Sequence, residues 1–69
     1  MPRNLINKKI RNGILAYVRL HKTLPTRTAI NYYSHLYNVP KNVVSGCISG
    51  LVRSGMVAIY SNKPYSYMY

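Results

Sequence analysis

Sixty-nine residues, 48% of them hydrophobic and spaced in groups with no run long enough to cross a bilayer, set the limit of one small domain over residues 1–69. Ten Lys and Arg stand against no Asp and no Glu, a formal charge of +10, so the expected partner is a polyanion and not a membrane. The same absence excludes Mg²⁺ and Ca²⁺ sites, two-metal nuclease centres, glycosidase pairs and aspartic dyads, all of which need side-chain carboxylates.

In chain order, Ile6, Ile10, Ile14, Tyr17 and Leu20 recur at three-and-four spacing and predict a first helix between Asn4 and Lys22, with Lys8, Arg11, Arg19 and Lys22 turned away. Asn4 is its expected N-cap, and residues 1–4 are free to be flexible. Gly13 in the apolar stripe costs about 1 kcal/mol relative to Ala unless another backbone approaches there, and Leu15 projects among the basic residues. Pro25 disfavours helical geometry at Leu24, so residues 23–26 read as a break with a short extended piece. Thr26 or Thr28 then caps a second helix with Ile30, Tyr33 and Tyr37 buried, Ala29 and Ser34 permitting close approach, and Asn38 as its left-handed stop. Pro40 opens a third helix, about residues 40–54, with Val44, Cys47, Ile48 and Leu51 inward and Gly55 ending it. From Met56 the period changes to two: strands at 56–60 and 65–69 flank the turn Ser61-Asn62-Lys63-Pro64, placing Tyr65, Tyr67 and Tyr69 on one face and Ser66 and Met68 on the other. The fold class is α+β, three helices and a C-terminal β-hairpin.

Cys47, His21 and His35 are the residues left for metal or nucleophile chemistry, and their spacing matches no ligand set, so no metal, cofactor or catalysis is expected. Cys47 reads as a small core hydrophobe. One Cys allows no internal disulfide, which fits a reducing intracellular compartment. Basic residues interrupt the apolar ones in Met1-Pro2-Arg3-Asn4-Leu5-Ile6-Asn7-Lys8-Lys9, so no secretory leader is expected. Tyr17, Tyr33 and Tyr37 read as core, and Tyr65 and Tyr67 as candidate contacts.

Residues 30–49 carry a more specific signal. Ser34 is the small residue of a first motif helix, Asn38 the positive-φ residue four positions on, and Tyr33, Tyr37, Val39, Val44 and Cys47 the apolar set at fixed offsets. With the strand and hairpin, residues 5–69 resemble a winged helix-turn-helix DNA-binding domain of the small viral or mobile-element type. That resemblance implies that the third helix enters the major groove of double-stranded DNA and that the wing, residues 61–65, lies on the backbone. Opposite the core stripe stand Asn42, Ser45, Gly46, Ser49 and Arg53, with Lys41 at the N-terminal edge. Asn42 suits adenine, Ser45 and Ser49 either base edges or phosphate, and Lys41 and Arg53 phosphate or guanine, while Arg27, Lys63 and Tyr65 complete the expected contacts. Gly46 and Gly50 offer few base-reading atoms, so binding is better supported than sequence preference. Pro40-Lys41 and Pro64 are also similar to winged Z-DNA-binding domains, but Ser45 and Ser49 stand where those carry Asn and Tyr, which argues against left-handed DNA.

The expected role is a non-catalytic regulator of transcription or replication, a monomer or weak homodimer. The alternative is a winged-helix adaptor for structured RNA or an acidic protein, such as a ribosome-associated protein or an inhibitor of a nucleic-acid-processing enzyme.

Overall fold

The computed structural model describes residues 2–62 and 65–69, with the side chains of residues 62, 65 and 66 left aside. Its elements run α1 (Arg3–His21), β1 (Leu24–Pro25), α2 (Thr26–Tyr37), α3 (Lys41–Arg53), β2 (Ile59–Asn62) and β3 (Tyr65–Met68). The fold is α+β, as the period change predicts. Lys63 and Pro64 of the expected turn lie outside the described residues.

The helices meet around Ile10, Ile14, Val44, Cys47, Ile48 and Leu51, and Leu24, Val57 and Met68 close the core from the strand side. All four residues expected inward on α3 are buried, since a single apolar stripe leaves that helix one way to face. On α1 the stripe differs from expectation. It continues from Ile14 to Val18, leaving Tyr17 and Leu20 exposed, Leu20 at 75%. Steps of three and four both keep a helix amphipathic, so the neighbouring elements decide between Tyr17 and Val18. Tyr17 instead lies against His21 outside the core, ring centroids 4.3 Å apart. Leu15, expected among the basic residues, is half-buried against the core.

On α2 the deepest residue is Ala29, with Ile30, Tyr33 and Tyr37 only half-buried around it. The Tyr33 and Tyr37 rings stack with centroids 6.4 Å apart. The Tyr33 hydroxyl fills the space beside Gly13, 2.6 Å from where a Cβ would stand. The close approach that excuses this glycine therefore comes from a side chain, not a backbone.

Neither α1 nor α2 starts with the side-chain cap expected of it. The cap positions fall on Pro2, Pro25 and Pro40, and none makes a side-chain cap hydrogen bond. Asn4 lies inside α1, where its side-chain oxygen accepts from the Leu5 N–H at 3.0 Å. Proline serves here because its fixed φ, about −60° at all three caps, leads directly into helical geometry.

The helix ends match expectation more closely. Asn38 stops α2 in the left-handed region at φ 52°, and Gly55 follows α3 at φ 79°. At the latter, the Met56 N–H bonds to the Leu51 carbonyl and the Gly55 N–H to that of Val52, satisfying two carbonyls the helix leaves open.

The sheet has the order β1-β3-β2, all antiparallel. β2 begins at Ile59, three residues later than the alternation suggests, because residues 54–57 are used to turn the chain off α3. Paired bonds between Ala58 and Tyr69 extend the β2–β3 ladder by one step. Leu24 and Met68 are paired and both buried, so this face of the sheet meets the helices and the face of Tyr60 and Tyr67 looks outward. Among the described residues no helix is long and apolar enough to cross a membrane.

Candidate nucleic-acid interface

The candidate surface is built from the turn between α2 and α3. Asn38 reverses the chain in the left-handed region, and the Val39 N–H returns to the Ser34 carbonyl at 3.1 Å. The Ser34 hydroxyl donates to the Val39 carbonyl at 2.7 Å. Val39 is thereby buried and the start of α3 is fixed relative to α2.

Burial of Val44, Cys47, Ile48 and Leu51 turns the opposite side of α3 to solvent. Lys41, Asn42, Ser45, Gly46, Ser49 and Arg53 are all exposed, as the spacing requires, over a helix about 18 Å long. A Cβ at Gly46 would meet nothing within 4 Å, so this side carries no covering element among the described residues. Arg27 is exposed on the first turn of α2. Tyr65 belongs to β3, but its side chain is outside the description, and Lys63 is outside it altogether.

Electrostatics give this surface one sign. No first turn of any helix holds an acidic residue, and the first turns of α2 and α3 hold Arg27 and Lys41. A cation at the positive end of a helix dipole costs about 0.3–1 kcal/mol, which a bound anion relieves. Arg53 at the far end of α3 sits favourably on its negative end.

One feature escaped the sequence reading: a groove of about 380 Å³ between α1 and the C-terminal half of α3, lined by Arg11, Leu15, Gly50, Ser54 and Met56. Leu15 and Gly50 lie thirty-five positions apart, and periodicity within each helix does not report which grooves two helices form between them.

Cys47 is buried, and its thiol donates weakly to the Asn7 carbonyl at 3.9 Å. Burial pushes its pKa above the ordinary value, with Arg11 pulling the other way, which makes it a poor nucleophile. His21 and His35 are exposed on α1 and α2, and among the described residues no group of three His, Cys, Asp or Glu could hold a metal ion.

Comparison with family models, curated proteins and solved structures finds no match to this chain.

Proposed function

We propose that the chain is a winged helix-turn-helix module that binds double-stranded DNA without catalysis, as a small regulator of transcription or replication. The observation that carries this reading is the uncovered face of α3, where Lys41, Asn42, Ser45, Gly46, Ser49 and Arg53 stand together in a chain that has no acidic side chain to neutralise them. The Ser34–Asn38–Val39 turn and the element order α1-β1-α2-α3-β2-β3 support it, being what the resemblance implies. In this reading α3 enters the major groove, Arg27 and Lys41 hold phosphates, Asn42 reads a base, and the hairpin wing at 61–65 lies along the backbone.

A salt series on a mixed-sequence duplex tests it. If about five phosphates are neutralised, log K falls with log salt at a slope of about −4 to −5. A slope near zero rejects the reading. Preference for any one site should stay below about 10⁴-fold, because two serines and a glycine offer few base-reading atoms. Tighter capture of an acidic polypeptide than of duplex at the same salt would favour the adaptor role instead.

A further inference from the structure

We propose that the outer face of the sheet is a second nucleic-acid surface, a stacking platform for the unpaired bases of single-stranded DNA. In β2 and β3, Ile59 pairs with Met68 and Tyr60 with Tyr67, so alternation puts Met68 into the core and the two tyrosines on the opposite side. Their ring centroids lie 5.2 Å apart across the strands, with the ring planes tilted by 37°. Tyr69, opposite Ala58, stands one step further along the same face, and Pro25 pairs with Tyr67 from the other edge.

A cross-strand pair of aromatics stabilises a hairpin and needs no ligand to explain it. Two further observations are not covered by that role. Tyr60 and Tyr69 leave 46% and 53% of their surface in water, with Tyr67 half-buried between them, so the row offers exposed aromatic surface where aromatics of a hairpin core would be covered. Exposed Lys22 and Arg27, the latter shared with the duplex reading, also bracket β1, the strand that borders this row, and no carboxylate side chain opposes them. Open aromatic faces beside unopposed cations match a flexible polyanion with free bases, whose stacking is indifferent to sequence. An apolar peptide would use the rings but not the charge. A rigid duplex would use the charge but keeps its bases stacked away from the rings. The choice of a DNA strand over RNA rests on the duplex reading above; the stacking chemistry does not.

The test compares binding of an eight-residue dT strand and of a 16-bp duplex at one salt concentration. Tyr60→Leu should weaken dT binding about tenfold and leave duplex binding within about twofold, whereas Tyr60→Phe should keep both. The chain has eight Tyr and no Trp, so dT should also quench the wild-type protein's own fluorescence. If Tyr60→Leu does not fold by circular dichroism, Tyr69→Leu, beyond the β2–β3 strand bounds, takes its place with the same expectation. Unchanged dT affinity, or equal loss on dT and duplex, overturns the platform. Tenfold tighter binding of the corresponding U strand, or of a poly-Glu peptide, overturns the assignment to DNA. A flat salt slope with duplex but a Tyr60-dependent affinity for dT would reject the α3 reading and keep the stacking platform, the comparison with the U strand then deciding which nucleic acid it takes.

Discussion

Ser34 and Val39 bond to each other twice across the turn between α2 and α3, main chain to main chain at 3.1 Å and hydroxyl to carbonyl at 2.7 Å. The pair clamps Asn38 in its left-handed conformation and sets where α3 begins. Ser34→Ala removes one of the two bonds and should cost about 1 kcal/mol. Asn38→Ala should cost about 1–2 kcal/mol, because a Cβ without a local hydrogen-bonding group is strained at φ 52°. Urea midpoints at unchanged m-value check both. If Ser34→Ala melts with the wild type, the hydroxyl bond contributes nothing to the turn.

Gly13 and Tyr33 should be energetically coupled. A methyl at Gly13 meets the Tyr33 hydroxyl at 2.6 Å, which offsets the roughly 1 kcal/mol that Ala gains over Gly in a helix. Gly13→Ala should therefore be neutral or destabilising in the wild type, and more favourable by about 1 kcal/mol in a Tyr33→Phe background. Additive effects in that double-mutant cycle would mean that the ring moves aside freely.

Lys41 should show opposite effects on folding and on binding. Lys41→Gln removes a cation from the positive end of α3 and should stabilise the free protein by about 0.3–1 kcal/mol. The same change should weaken every duplex alike and reduce the magnitude of the salt slope by about one. Asn42→Ala should instead relax preference at one base position by about 1–3 kcal/mol. Thermal melts and duplex titrations of the two variants separate these roles, and identical binding profiles would mean that Asn42 reads no base.

Stability should fall on the alkaline side and not on the acid side. Burial raises the pKa of Cys47 above 9.0 and, helped by Tyr32 and Tyr37, that of Tyr33 above 10.0. A group whose folded pKa is raised holds its proton more tightly folded than unfolded, so its stabilisation is complete below the unfolded value and lost as pH rises through the folded one. The midpoint of unfolding should thus decline above pH 9.0, and further above 10.0. In acid there is no Asp or Glu side chain to protonate, so from about pH 5 to about pH 2 at constant ionic strength stability should hold. Cooperative acid unfolding in a melt series would contradict this. Cys47→Ser, in turn, should remove part of the alkaline decline.

The order of helices and strands was legible in the sequence because each boundary rests on local chemistry. Pro25 and Pro40 constrain the backbone before the second and third helices, while Asn38 and Gly55 accept the positive φ that follows them. The exposed face of α3 was legible for a related reason: four apolar residues on one stripe force Asn42, Ser45, Ser49 and Arg53 outward whatever the partner helices are. The end of the α1 stripe was not. Tyr17 and Val18 each continue the pattern, and only the elements packed against α1 select Val18 and leave Tyr17 beside His21. The same holds for the Tyr33 hydroxyl over Gly13, for the α1–α3 groove, and for a tyrosine row whose outward direction depends on Met68 being drawn into the core. Local backbone preference is written residue by residue, whereas which of two nearly equivalent faces is buried depends on contacts between segments far apart in the chain.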